Sequence, residues 1–74
     1  MRYTYTVLIR SAEEGGYWAE VPALPGCFTQ GETIDETLKK AAESIECHLA
    51  GLREEGSEIP RDEGLLIGRV EIAA

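Results

Sequence analysis

The stretch from residue 33 to residue 56 has the features of one long amphipathic helix with a defined start and a defined end. Thr33 is followed three residues later by Glu36, which is the capping-box pattern T-x-x-E, and Gly56 is the kind of residue that ends a helix. The apolar positions between them recur with a period of 3.6: Ile34, Leu38, Ala41, Ala42, Ile45, Leu49 and Leu52. The pattern predicts a helix of about 22 residues, roughly 33 Å long, with one face on a core.

The residues before this helix predict three short strands. Residues 2–11 alternate between an apolar and a polar face, although Leu8 lies on the polar side and indicates that this face is partly covered too. Gly15 and Gly16 supply a hairpin turn, because glycine tolerates positive φ. Residues 17–21 form the second predicted strand and residues 28–31 the third.

Residues 65–72 after the helix predict a last strand, so the element order is β-β-β-α-β. The fold class is therefore α+β, with an antiparallel-containing sheet and one helix packed on it. We expect residues 1–74 to form a single domain. Because a chain of this size buries only a modest core, we also expect a homodimer or a higher oligomer.

The charge of the chain is acidic and concentrated around the helix. The net charge is −7, and residues 32–58 contribute about −5 of it. An acidic surface repels phosphates and anionic lipids, so we expect no direct binding to nucleic acid or membrane, whereas a basic protein is a suitable partner. The plainer reading, which the charge alone favours, is that these side chains keep the protein soluble.

The N-terminal residues alternate and lack the apolar core of a signal peptide, and no run is long and apolar enough to span a membrane. The chain is therefore expected in the cytoplasm. Cys27 and Cys47 are expected to be reduced thiols there, with no disulfide framework around them.

The segment between the second and third strands carries a specific motif. It reads P-x-L-P-G-C-x-T-x-G-x-T and precedes the capped helix; the matching positions are Pro22, Leu24, Pro25, Gly26, Cys27, Thr29, Gly31 and Thr33. In this order and register the chain resembles the HicB antitoxin family over roughly residues 3–72.

The resemblance implies a fold and a function. HicB-like domains have a partial ribonuclease-H-like fold, and they bind and neutralise HicA, a small basic mRNA interferase toxin. Many members also carry a C-terminal DNA-binding domain. This sequence ends at Ala74, directly after the predicted last strand, so regulation through such a domain is not expected. The alternative is a stand-alone oligomeric binding or regulatory module without a cognate toxin.

Catalytic chemistry finds little support in the residues. A metal nuclease needs clustered carboxylates, but Glu20 is the one acid on the second strand and Glu71 lies near the end of the last. His48 lies at the border of the apolar stripe, where a packing role is favoured over a partner contact or catalysis. Cys27 is favoured as a small buried residue, and Cys47 points towards solvent. No phosphate-binding or dinucleotide-binding glycine motif is present, so we predict a non-enzyme without cofactor or metal.

Trp18 is the residue most informative about binding. The pattern leaves two positions open for it, namely under the helix, which is favoured, or on the opposite face as an interface anchor, where tryptophan often dominates the binding energy. If the chain is a binder, its candidate partner-binding residues are Trp18, Glu20, Pro22, Leu24, Pro25, Gly26 and Phe28.

Overall fold

A computed structural model describes residues 2–74. Three strands precede one helix: β1 (Leu8–Ser11), β2 (Tyr17–Glu20), β3 (Phe28–Gly31) and α1 (Ile34–Glu54). The strands form an antiparallel sheet in the order β1-β2-β3. The predicted α+β class and the β-β-β-α part of the predicted order are confirmed.

The helix begins and ends close to where its sequence predicts. At the start, the Thr33 hydroxyl accepts a hydrogen bond from the backbone N–H of Glu36 at 3.1 Å. At the end, Gly56 adopts φ 71° and donates to the carbonyl of Arg53, while Ser57 donates to the carbonyl of Leu52. These two bonds form a Schellman motif, which satisfies carbonyls that the helix leaves unpaired.

The helix packs on β3 and β2, on the face of the sheet that carries Ala19 and Gly31. The core lies between this face, the loop after β2 and the helix. It is built from Val21, Leu24, Cys27 and Leu49, and the partly buried Tyr5, Val7, Ile45, Leu52 and Ile59 pack against it. The core is small, as expected for a chain of 74 residues.

The contact between β3 and the helix is close enough to require glycine. A Cβ atom on Gly31 would lie 2.7 Å from Thr37 Oγ1 and 2.9 Å from Thr37 N. Thr37 is fully buried, and its hydroxyl donates to the carbonyl of Thr33 at 2.7 Å. Gly31 therefore fixes how near the first turn of the helix lies to the sheet.

The first strand is shorter than the predicted 2–11. Leu8 pairs with Glu20, the last residue of β2, so the residues before Leu8 have no strand opposite them. Pro22 could not extend β2 in their direction by a regular pair, because it has no N–H to donate. Thr6 instead donates both its backbone N–H (2.7 Å) and its hydroxyl (2.6 Å) to Asp62 Oδ2. The Tyr5 hydroxyl donates to the carbonyl of Pro60 at 2.6 Å. Residues 59–62 are thereby held against the N-terminal segment.

The prediction of a last strand over residues 65–72 is wrong for the chain on its own. This segment has no strand pairing, and all of it is exposed. A strand forms only when its backbone groups pair with the edge of another strand, and these residues pair with none here, so their alternating pattern alone does not produce a strand.

We predict that Gly31→Ala destabilises the fold by about 1–3 kcal/mol, because the added methyl group overpacks against Thr37. Gly51→Ala is the control, since nothing lies within 4 Å of its added Cβ. Because Gly51 lies within the helix, its substitution by alanine should raise the free energy of unfolding by about 0.5–1 kcal/mol. Urea unfolding followed by circular dichroism measures both. Equal midpoints for the two variants would contradict the close contact.

The raised pKa of Tyr5 makes the stability of the fold depend on pH in the alkaline range. Burial, followed by the neighbouring Tyr3, raises the pKa of Tyr5 above its ordinary value of 10.0. The stabilisation from the protonated hydroxyl is therefore complete below pH 10.0 and is lost as the pH rises through the folded-state pKa. We expect Tyr5→Phe to cost about 1 kcal/mol at neutral pH and to flatten the alkaline decline in stability. Tyr3→Phe retains the bond to Pro60 and removes only the smaller cause of the raised pKa, so its stability should still decline with pH, beginning at a somewhat lower pH than in the parent. Identical profiles for all three proteins would refute the assignment.

Candidate functional site

One face of the sheet is left uncovered by the helix. The strand register places Leu8, Glu20 and Phe28 side by side, and Arg10, Trp18 and Gln30 side by side in the next row. Directly opposed residues on antiparallel strands share a face, and both rows lie opposite Ala19 and the helix. We call these residues the open face: Leu8, Arg10, Trp18, Glu20, Phe28 and Gln30.

Trp18 lies on this open face. The favoured reading of the sequence, which placed it under the helix, is wrong, because the helix packs on the side of Ala19, which is fully buried. Trp18 is half-buried and Phe28 is 59% exposed. The alternation of the strand correctly separated Trp18 from Tyr17 and Ala19, but it could not tell which of the two faces meets the helix.

Arg10 holds the polar part of the open face together. Its Nη2 atom lies 2.9 Å from Glu20 Oε1, and its guanidinium carbon lies 5.2 Å from the centre of the Trp18 ring. An exposed ion pair of this kind contributes roughly 0.2–1 kcal/mol, and a cation–π contact at an exposed site about 0.5–1 kcal/mol. Their main effect is to restrict the rotamers of Trp18 and Glu20, which lowers the entropy cost of binding a partner there.

The loop after β2 is made rigid by two consecutive turns. Leu24 donates its N–H to the carbonyl of Val21 at 2.9 Å, and Cys27 donates to the carbonyl of Leu24 at 3.0 Å. Each turn has proline in its second position, which presets φ there. In the second turn Gly26 takes φ 84°, which glycine adopts without strain. The N–H of Val21 closes the loop on the carbonyl of Cys27 at 3.1 Å.

The candidate partner-binding residues divide into three groups in the structure. Trp18, Glu20 and Phe28 lie together on the open face. Pro22, Pro25 and Gly26 are exposed on the loop. Leu24 is fully buried, so it anchors the loop in the core and its side chain does not reach the surface.

Leu8, Arg10 and Gln30 belong to the open face but were absent from the candidates. Leu8 stood out as an apolar residue on the polar side of its strand, and that signal was available. Arg10 could be found only with the hairpin register, which pairs it with Trp18. The register depends on the turn at Gly15 and Gly16, where Gly15 donates to the carbonyl of Ala12 at 3.1 Å.

The side of the helix that faces solvent carries many charged residues. The charged side chains on this side are exposed or half-buried: Glu36, Lys39, Lys40, Glu43, Glu46 and Glu54. Lys40 Nζ lies 3.0 Å from Glu36 Oε1, and this hydrogen bond is the main cause that lowers the pKa of Glu36. Acidic residues outnumber basic ones here, so this side of the molecule is negative at neutral pH.

The residues considered for catalysis differ in their surroundings. Cys27 is buried, with its Sγ 3.6 Å from Ser44 Oγ, and Cys47 is exposed, as both were predicted. His48 is half-buried on the helix, and Glu20 is paired with Arg10. Across residues 2–74 no three His, Cys, Asp or Glu side chains come together in a way that could hold a metal ion.

Within the same residues, no helix combines the length and the apolar character needed to cross a lipid bilayer.

Comparison with known proteins identifies the family. Residues 5–68 match the model of the HicB-like antitoxin of bacterial toxin–antitoxin systems. A UPF0150 protein of Thermoplasma acidophilum is 48% identical over 58 residues, which are 78% of this chain and 84% of the relative. UPF0150 proteins of Synechocystis are 38% identical over 61 residues (82% and 77% of the two chains) and 41% identical over 71 residues (90% and 99%). The chain therefore belongs to the HicB-like antitoxin family.

Proposed function

We propose that this protein binds and neutralises a small basic toxin of the HicA mRNA interferase type, and that the open face with its adjoining loop is the surface that meets the toxin. Membership of the antitoxin family over residues 5–68 is the observation that carries the proposal. The open face supplies the matching surface, since it presents Trp18 and Phe28 beside a loop that its own hydrogen bonds hold rigid.

The composition of the open face suits a protein partner. Aromatic and arginine side chains dominate binding energy at interfaces, and here Arg10 adjoins Trp18 while Phe28 lies on the same face. Arg10 and Glu20 already satisfy each other, so covering them would not leave an unpaired charge. The exposed Pro22 and Pro25 extend the surface without adding flexible side chains that would have to be ordered.

The charge of the protein supports the choice of a basic partner. The net charge of −7 speeds encounter with a positively charged protein and disfavours nucleic acid. In this proposal the protein acts by covering its partner, has no catalytic activity or cofactor of its own, does not contact nucleic acid directly and works in the cytoplasm. Residues 1–74 act as a single domain that self-associates.

The alternative is a stand-alone oligomeric module that binds another protein or regulates without a cognate toxin. The gene next to this one separates the two proposals. If it encodes a small basic toxin, co-expression with this protein should give a stable complex and restore the growth that the toxin stops. No complex and no rescue would favour the alternative.

We predict that Trp18→Ala weakens the complex with this toxin at least about 30-fold, because a central aromatic anchor commonly contributes 2 kcal/mol or more. Ile34→Ala is the matched control, since Ile34 is 48% exposed at the helix start, away from the open face. Calorimetry on purified proteins measures both affinities, and thermal unfolding checks that both variants fold. Equal affinities for the two folded variants would remove the open face from the proposal.

The acidic surface generates a separate prediction about rate. Because charge steering is screened by salt, the association rate constant should fall by about tenfold or more from low to high salt. The dissociation rate constant should change much less, since it depends on contacts formed at short range. Stopped-flow measurements at several salt concentrations give both constants. An association rate that does not respond to salt would contradict steering by the acidic residues.

A further inference from the structure

Residues 65–72, which we call the tail, expose apolar side chains that one chain does not cover. Leu66 is 91% exposed, Val70 82%, Ile72 75% and Ile67 66%. A soluble protein rarely exposes so many large apolar side chains in one short segment unless they bind something. The tail also extends the molecule: the radius of gyration is 14.3 Å, against about 11 Å for a compact domain of this length.

The pattern of the tail is that of a strand with one apolar face. Leu66, Gly68, Val70 and Ile72 alternate with Leu65, Ile67, Arg69 and Glu71. This period of two suits a segment that pairs with a sheet and turns one face inward. The tail therefore has the side chains of a strand but is paired with no strand edge.

A matching edge is present in the same molecule. β1 pairs with β2 and has no strand on its other side among the described residues. Together with the segment that precedes it, β1 offers residues 3–11, which is long enough for the eight residues of the tail. The free edge of β3 is a poorer match, because β3 has four residues and leads directly into the helix that packs on it.

The space beside this edge is mostly apolar. A groove of ≈ 370 Å³ lies between the N-terminal segment and the helix, lined by Tyr3, Tyr5, Ala42, Ile45, Glu46 and Leu49. Leu38, one turn before Ala42 on the same side of the helix, is 42% exposed. A strand added at the β1 edge would place its inward side chains in this groove and cover that flank of the helix.

The path of the chain directs the tail away from its own edge. Residues 60–62 are tied to Tyr5 and Thr6, and residues 61–63 and Leu65 then line a hollow with Pro22 and Ala23, past the end of β2. Gly64 turns the backbone between them with φ 75°. From there the tail leaves the body of the molecule instead of following β1.

We propose that the tail forms an added strand on the β1 edge of a second copy of this chain, so that two copies exchange tails in a closed dimer. Each copy then supplies one strand and one edge, which leaves neither unpaired and requires no other protein. The exchange would give this small domain the extra core that one chain lacks. The dimer leaves the open face free, so this inference does not depend on the toxin-binding proposal.

Sedimentation velocity of the full-length protein over a concentration series tests the exchange. The parent should sediment with twice the 8.1 kDa mass of one chain. Val70→Lys, on the apolar face of the tail, should weaken the dimer at least about tenfold, because a charge would be buried in the groove. Glu71→Lys, on the other face, should change it by less than about threefold. Both variants make the net charge less negative, so weaker association of Val70→Lys cannot arise from greater repulsion.

A mixed-label experiment separates exchange from pairing within one chain. Equal amounts of ¹³C-labelled and unlabelled protein are unfolded together, refolded and examined by filtered nuclear Overhauser spectroscopy. The proposal expects contacts between residues 65–72 of one copy and residues 3–11 of the other. A monomeric parent, equal dimer affinities for the two variants, or contacts confined to a single copy would each overturn it.

Discussion

The two-residue connection between β3 and the helix is the constraint on which the architecture depends. Only Glu32 and Thr33 separate the end of the strand from the first helical residue, so the helix must fold back at once across one side of the sheet. Gly31 permits the close approach, and the buried Thr37 fills the space in front of it. This junction decides that Ala19 is covered, and it leaves Trp18 on the side that a single helix cannot reach.

A three-stranded sheet with one helix has more surface than its own chain can cover, and both interactions that we propose use the surface left uncovered. The open face carries two aromatic side chains, of which Trp18 is restrained by Arg10, and the β1 edge adjoins a mostly apolar groove. The first suits a different protein, because its centre is aromatic and its charges are already paired. The β1 edge suits another copy of the same chain, because the tail of that copy has the pattern of the strand that this edge lacks. The two surfaces can act independently.

Sequence reasoning succeeded where the determining contacts are local and failed where they are distant. Thr33 and Gly56 mark the helix ends through bonds that span a few residues. The face assigned to Trp18 depends on how the helix crosses the sheet, which the alternation of a strand does not encode. The last strand failed for a related reason, since the alternation in residues 65–72 describes the strand but not the edge that would pair with it.

The central claim, that the helix-free side of the sheet receives the partner, can be tested through the single tryptophan of the chain. Fluorotryptophan incorporated into this protein alone gives one ¹⁹F resonance, from Trp18, whose solvent isotope shift between H₂O and D₂O reports exposure. We predict a clear isotope shift for the protein by itself and its loss, with a changed chemical shift, when the toxin binds. A complex that forms while the resonance and its isotope shift stay unchanged would contradict the claim.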